Sequence, residues 1–334
     1  MPRLNPRTSP WALCLALCAA CCCVGCDPES PGPTSAPPAP KPGEPAGKLV
    51  VYTTFYPTTY FAQRIVGDLA EVVCPLPADA DPIFWQPDAA LIERYQGADL
   101  IVLNGADFEK WAQRVSLPAS RVVDTARSFK DQHLRYENAL THSHGPSGAH
   151  THEGVDGHTW LDPQNARAQA KAIHQAILQR TTDPKAKQQL QSRWASLDQD
   201  LASLATDFEG FRARGQPPAL LASHPAYNYL ARRYGWNLVN LDLDPESMPD
   251  PQALDAIRKT LAKHPAKHLL WESEPKPEIA RRFLDELGLI SLVFSPAETL
   301  DEADRAKGVD YLAIMRRNIE ALRPVFVAGT PQPK

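Results

Sequence analysis

Short apolar runs alternate with helical stretches along most of this 334-residue chain, and that alternation leaves few architectures open. In the first half, the runs at residues 49–52, 99–103 and 121–123 have the composition of buried strands, and helical stretches separate them. Consecutive parallel strands need a crossover connection, which is usually a helix. The pattern therefore predicts a parallel sheet covered by helices.

The same pattern resumes after a Gly- and Pro-rich break at residues 215–218. Strand-like runs follow at 219–222 and 267–271, again with helical stretches between them. Residues 58–64 and 227–233 also resemble each other, and each segment follows the first strand of its half. We therefore predict an α/β fold with two Rossmann-like lobes, each built on a parallel sheet.

Two helix start signals lie between the lobes. Asp162-Pro163 and Asp183-Pro184 each place a capping carboxylate before a proline suited to the first helical position. Apolar residues spaced by three and four form a seam along the second helix: Leu190, Trp194, Leu197, Leu201, Leu204, Phe208 and Phe211. The predicted organisation is a first lobe at 48–162, a linking helix at 163–182 and a second lobe at 183–334.

The N-terminal segment has a different composition. Residues 1–25 combine two arginines with an apolar run too short to cross a bilayer comfortably, which predicts a signal peptide. Cys26 follows Val24-Gly25 in a segment that resembles a bacterial lipobox, so we expect lipid on Cys26; a plain secretory signal is the alternative. Residues 26–47 are proline-rich and predict an extended tether. We therefore expect an extracytoplasmic protein that a lipid anchors to a membrane.

Charge and cysteine content exclude several classes of function. The net charge of −4 provides no basic surface, which argues against a nucleic-acid partner. Six of the seven cysteines lie within the first 26 residues, and only Cys74 remains in the body of the chain. The body therefore has neither a disulfide framework nor the cysteines of a zinc–thiolate site.

Candidate metal ligands lie near the ends of the predicted strands. Ligands of open parallel sheets bind outside the carboxyl ends of the strands. His224 and Glu272 follow two strands of the second lobe, and His158 shortly precedes the linking helix. Imidazole nitrogen and carboxylate oxygen bind zinc where no thiolate is present. Each residue could equally be a satisfied polar group or a helix cap, and spacing alone leaves both interpretations open.

Several blocks of the body resemble the metal-binding receptors of bacterial ABC transporters, the ZnuA/TroA type. They are residues 52–57 (YTTFYP), 98–105 (ADLIVLNG), 157–163 (GHTWLDP), 223–235 (SHPAYNYLARRYG) and the closing helix at 311–322. The resemblance covers residues 48–324. It implies that His158 and His224 bind a metal in the cleft between the lobes. It also implies that the cargo is zinc and that an ABC permease receives it.

The chain departs from that family at two places. Asp81-Pro82 is followed by Ile83 where the family usually has a histidine, and Phe294-Ser295-Pro296 stands where it often has an aspartate. Glu272 is the best replacement ligand, and Glu274 and Asp81 are the next candidates. Two histidines with one or two carboxylates suit zinc and also accept manganese or iron(II).

A histidine-rich stretch precedes His158. Residues 141–153 contain His142, His144, His150 and His152 among glycine, serine and threonine, with neither a helical nor a strand period. The resemblance implies weak zinc capture beside the main site, because zinc receptors of this family often carry such a loop. A solvated polar loop without a role is the alternative.

The expected function is that of a monomeric receptor, not an enzyme, which captures zinc and delivers it to a permease. One alternative is a receptor for manganese, iron or a metal complex. Another is a zinc-dependent hydrolase in which Glu274 acts as general base. The hydrolase is disfavoured because the sequence has neither a His-Glu-x-x-His block nor a nucleophile elbow. A surface adhesin is a further alternative.

Overall fold

The computed structural model describes residues 48–78, 80–136, 140–143, 149–152, 154–212 and 216–327, with the backbone alone described for 140–143 and 149–152. The predicted signal peptide, Cys26 and the tether lie outside these residues, as does His144. Gly47–Lys334 forms one compact unit. Within the described ranges, every helix is too short or too polar to traverse a lipid bilayer.

The first sheet is parallel and has the strand order β2-β1-β3-β4. Its strands are β1 (Leu49–Thr53), β2 (Ala70–Val73), β3 (Leu100–Leu103) and β4 (Val122–Asp124). The central strands carry fully buried aliphatic side chains, among them Val51, Leu100 and Val102. Such near-continuous apolar runs are typical of parallel strands that helices cover on both faces.

The histidine-rich stretch contains a small antiparallel hairpin of β5 (Leu140–Ser143) and β6 (Ala149–His152). Its register places His142 opposite His150 and Thr141 opposite Thr151. The expectation that this stretch has no strand structure is therefore wrong. Threonine is β-branched and favours extended backbone, a preference that an interpretation based on overall composition overlooks.

The second sheet is also parallel and has the order β8-β7-β9-β10. Its strands are β7 (Ala219–Ala222), β8 (Asn237–Asn240), β9 (His268–Trp271) and β10 (Ile290–Val293). Counted from the first strand of each lobe, the two sheets have the same order. The predicted fold of two parallel α/β lobes is confirmed.

Helices connect and cover the two sheets. They are α1 (Tyr56–Val66), α2 (Ala89–Gly97), α3 (Pro163–Arg180), α4 (Pro184–Glu209), α5 (Asn228–Tyr234), α6 (Pro251–Lys263), α7 (Pro277–Leu287), α8 (Glu302–Ala306) and α9 (Tyr311–Val327). Helices α1 and α5 follow the first strand of their lobes, where the two segments of similar sequence lie. This equivalence agrees with the shared strand order.

Helices α3 and α4 pack against each other between the two sheet regions, and α4 also contacts α1 and α9. The carboxylate of Asp162 caps α3 by accepting from Gln164 N at 2.9 Å. Asp183 caps α4 by accepting from Ala186 N at 2.9 Å. The apolar seam of α4 is buried from Leu190 to Phe208, apart from the partly buried Trp194. Burial of this face, more than helix propensity, stabilises the pair.

Candidate metal centre

Three side chains from different parts of the chain converge at one end of the second sheet. His224 follows the carboxyl end of β7 by two residues, and Glu298 follows that of β10 by five. His158 lies in the segment that leads from the hairpin to α3. The carboxyl ends of β7 and β10 lie at the same edge of the parallel sheet, so the topology brings His224 and Glu298 together.

His158 is fully buried and oriented by a carboxylate. Its Nδ1 lies 2.8 Å from Oδ1 of Asp156. The carboxylate of Asp156 also accepts from the Tyr136 hydroxyl at 3.1 Å and from the Asn228 amide at 2.9 Å. A ring N–H directed at a carboxylate fixes the tautomer and leaves Nε2 as the metal donor.

The carboxylates around His158 favour its protonated form in the metal-free protein. Burial lowers the pKa of His158, but hydrogen bonds to Asp156 and Glu298 outweigh that effect and raise the pKa to about 10. A metal that binds Nε2 must displace this proton. Metal binding and protonation of His158 therefore compete.

His224 presents its two ring nitrogens to different neighbours. Its Nε2 lies 3.4 Å from Nε2 of His158. Its Nδ1 lies 3.5 Å from Oε2 of Glu272. The Nε2 atom therefore faces the other donors, and Glu272 lies on the opposite side of the ring.

Glu298 completes the group because the loop after β10 folds back towards His158. Ala297 has a left-handed backbone conformation, with φ of 56°, and turns the chain just before Glu298. The indole N–H of Trp160 donates to the Pro296 carbonyl at 2.7 Å and ties this loop to the His158 segment. As a result, Oε1 of Glu298 lies 3.0 Å from Nε2 of His158.

One donor atom from each of His158, His224 and Glu298 lies within 4.8 Å of the other two. Zinc binds imidazole nitrogen at about 2.0–2.1 Å, so two donors of a tetrahedral site lie roughly 3.4 Å apart. The separations of 3.0 and 3.4 Å around Nε2 of His158 are close to that value. Two imidazoles and a carboxylate, arranged in this way, suit a divalent cation such as zinc.

The sequence favours Glu272 as the third ligand, and the structure groups Glu298 with His158 and His224 as residues that could hold a metal ion. The carboxylate of Glu272 lies against Nδ1 of His224, where it can orient the ring as Asp156 orients His158. Glu298 is not among the residues predicted from the sequence. The strand-end rule that favours His224 also applies to Glu298, which follows the carboxyl end of β10.

The other predicted site residues lie at different distances from this group. Asp81 lines a cavity of about 400 Å³ together with Ile83, His224, Glu272 and Glu298. Its Oδ1 accepts from Ile83 N at 2.8 Å, which closes the turn after β2. Glu274 is exposed, and the lining of this cavity does not include it among the described residues.

Ile83 occupies the position at which the resemblance leads us to expect a histidine, and it is 6% exposed. It forms part of the apolar core as well as of the cavity wall. Asp301, at the start of α8, lines the same cavity. The described lining therefore includes several carboxylates, and the first lobe contributes the apolar Ile83 to it.

Three of the four histidines that the sequence predicts to be accessory lie in the hairpin, a few residues before Asp156. The backbone positions of His142, His150 and His152 belong to β5 and β6, and His144 lies outside the described residues. Residues directly opposite each other, and residues two apart, lie on one face of an antiparallel pair. The register therefore places these three positions on the same face of the hairpin.

Proteins of similar sequence carry names that refer to zinc binding or zinc uptake. "Zinc-binding lipoprotein AdcA" of Streptococcus pneumoniae is 28% identical over 283 residues, which are 83% of this chain and 56% of that protein. The chain thus spans about half the length of this relative. "High-affinity zinc uptake system protein ZnuA" of Bacillus subtilis is 28% identical over 288 residues, 83% of this chain and 87% of that protein.

A solved structure and a family model also match this chain. The metal-dependent lipoprotein YcdH of Bacillus subtilis matches with a TM-score of 0.71 at 25% identity, covering 84% of this chain and all of that one. The model of the family "Zinc-uptake complex component A periplasmic" matches residues 51–325, most of the length of the chain. The chain therefore belongs to this family, the ZnuA family of zinc-uptake components.

Proposed function

We propose that this protein is an extracytoplasmic receptor that captures zinc between its two lobes and delivers it to an ABC permease. The observation that carries the proposal is the convergence of His158, His224 and Glu298 within 4.8 Å. The first residue belongs to the first lobe and the other two to the second, so a bound ion joins both lobes.

The zinc cargo, the partner and the location are supported by the relatives. The family is described as a periplasmic component of a zinc-uptake complex, and AdcA is described as a zinc-binding lipoprotein. An uptake component implies a permease, and a lipoprotein implies an anchor, for which Cys26 is the residue in this chain. We propose that the chain acts as a monomer and as a receptor, not as an enzyme.

We assign His158, His224 and Glu298 as direct ligands and Asp156 and Glu272 as the carboxylates that orient the two imidazoles. Carboxylate–histidine–zinc arrangements raise the basicity of the ligand and fix its orientation. The hairpin histidines His142, His150 and His152, together with His144, have an accessory role: they bind zinc weakly and raise its concentration beside the cleft.

The test is a calorimetric zinc titration of protein that begins at Lys48, with and without residues 141–153. The proposal expects one tight site per chain in both forms and additional weak sites only in the form that keeps the hairpin. Absence of a tight site from the shortened form would contradict the assignment of the cleft. Equal numbers of weak sites in the two forms would contradict the accessory role of the hairpin.

A further inference from the structure

The turn after β3, residues 104–109, makes buried polar contacts with the segment that carries His158. Asn104 is fully buried, and its amide donates to the Gly157 carbonyl at 2.9 Å. Its Oδ1 accepts from the Thr159 hydroxyl at 3.2 Å. Gly157 and Thr159 are the two chain neighbours of His158. One side chain therefore contacts both neighbours of His158, through the backbone carbonyl of Gly157 and the side-chain hydroxyl of Thr159.

The His158 segment lies unusually close to this turn. A Cβ atom at Gly157 would lie 2.9 Å from the side chain of Phe108 and 3.2 Å from its Cα. Real Cβ atoms are essentially never found at the first of these distances. Only glycine lets the segment approach the turn so closely, and this proximity lets the Asn104 amide reach the Gly157 carbonyl.

The turn adopts a backbone conformation that costs free energy. Gly105, Ala106 and Asp107 have φ values of 80°, 52° and 58°, three left-handed residues in succession. For the two residues other than glycine, such a conformation is unfavourable, and it persists only where the surroundings enforce it. Strained backbone of this kind is concentrated at functional sites.

The carboxylate of Glu109 enforces this conformation from within the first lobe. It is buried, and it accepts from Asn104 N at 2.6 Å, from Gly105 N at 3.2 Å and from the Thr54 hydroxyl at 2.6 Å. Glu109 thus orients the backbone from which the Asn104 side chain projects. The contacts run in one chain from Glu109 through Asn104 to both neighbours of His158.

We propose that Asn104 is a positioning residue for the metal ligand His158, and that Glu109 supports it by holding the turn in shape. This inference rests on the proposed metal-binding function and adds to it, because Asn104 acts on His158 through the two residues that flank it. Asp156 sets the rotation and tautomer of the ring, whereas Asn104 sets where the ring is placed above the end of β3.

Asn104 could instead serve stability alone, and the geometry of the bound metal separates the two roles. We would load the purified protein with cobalt(II), whose visible absorption responds to the number and arrangement of its ligands. Asn104→Ala is expected to change this spectrum and to weaken cobalt and zinc affinity by about 10–100-fold, the usual cost of removing a group that supports a ligand.

Thr125→Val is the matched control. The Thr125 hydroxyl donates to the Asn104 carbonyl at 2.8 Å and accepts from Gln169 at 3.0 Å, so it belongs to the same buried network. In the structure its hydrogen bonds go to these two residues and not to Gly157 or Thr159. The control is expected to lower the free energy of unfolding while leaving the cobalt spectrum as in the wild type.

Thr159→Val decides the question if Asn104→Ala does not fold, because it removes only the bond to Oδ1 of Asn104 and keeps the shape of the side chain. It is expected to change the spectrum in the same direction by a smaller amount. Wild-type affinity and spectrum in both variants would overturn the positioning role, as would an equal spectral change in Thr125→Val. Failure of the wild-type protein itself to bind cobalt or zinc would overturn the proposed function.

Discussion

The two lobes have the same strand order but contribute differently to the candidate metal centre. In the second lobe, the ends of β7 and β10 lead to the candidate donors His224 and Glu298. In the first lobe, the end of β2 leads to the apolar Ile83, and the end of β3 leads to the Asn104 turn. The donor of the first lobe, His158, comes from a later segment that lies over that turn.

This difference shows that the topology determines where a site forms. It does not determine which strand ends supply the donor side chains. Both sheets present their carboxyl ends to ligands. The second lobe uses these ends for donors, and the first uses them as a support for a donor from elsewhere. Function thus depends on particular side chains within a shared architecture.

The strongest test of the comparison removes the donor of the first lobe. We expect His158→Ala to weaken zinc binding by more than about 100-fold, because the loss of an outer partner alone costs 10–100-fold. Competition with a chromophoric chelator measures the affinity. His268→Ala is the control, since His268 lies at the amino end of β9, the edge of the sheet away from the site. Unchanged affinity in His158→Ala would mean that the second lobe binds zinc alone.

A second test compares the two carboxylates of the second lobe. Glu298→Gln is expected to lower zinc affinity by roughly 100-fold because it removes an anionic ligand, and Glu272→Gln by roughly tenfold because it removes an outer partner of His224. The same competition assay ranks the two variants. The reverse ranking would indicate that Glu272 is the direct ligand and Glu298 an outer partner.

A third test makes the lobes more alike. Ile83→His introduces an imidazole at the cavity wall of the first lobe, and we expect zinc affinity to rise by about tenfold, equivalent to about 1.4 kcal/mol. The free energy of unfolding of the metal-free protein should fall by about 1 kcal/mol, because a core aliphatic side chain is lost. Urea denaturation checks the second effect. Ile83→Gln is the matched control, and a gain in affinity there would rule out coordination by the new ring.

A fourth test uses the pH dependence of the stability of the metal-free protein and does not involve zinc binding. The pKa of His158 is raised to about 10, above its unfolded value near 6.5. The protonated ring therefore stabilises the fold fully below about pH 6.5, and that contribution is lost as the pH rises through 10. Denaturation of metal-free protein between pH 6.5 and 10 should show falling stability. Asp156→Asn should reduce the slope, and an identical slope in that variant would exclude His158 as its source.

Much of the fold could be predicted from the sequence because strand and helix periods are local properties. The alternation of apolar runs gave both lobes, and the capping residues Asp162 and Asp183 gave the starts of α3 and α4. His158 and His224 were selected from their positions near element ends and from the resemblance. The prediction of these residues does not depend on which distant segments of the chain come into contact.

The third donor could not be predicted because it depends on distant contacts. Glu298 reaches His158 because Ala297 has a left-handed backbone conformation. An alanine in the sequence does not predict that conformation. The role of Glu272 depends on which nitrogen of His224 faces the cleft, and only packing decides this. Asn104 could not be predicted for the same reason, because its partners Gly157 and Thr159 are more than fifty residues away in the chain.

The cavity in front of the donors has a kinetic consequence. Asp81, Glu272, Glu298 and Asp301 line it, and the described part of its lining includes no lysine or arginine. Carboxylates in a concave, low-dielectric wall focus the electric field and accelerate the approach of cations. The field of this cavity should therefore draw a divalent cation inward before its first bond to the protein forms. Since salt screens such fields over about 8 Å at physiological ionic strength, the rate of capture should fall as salt rises.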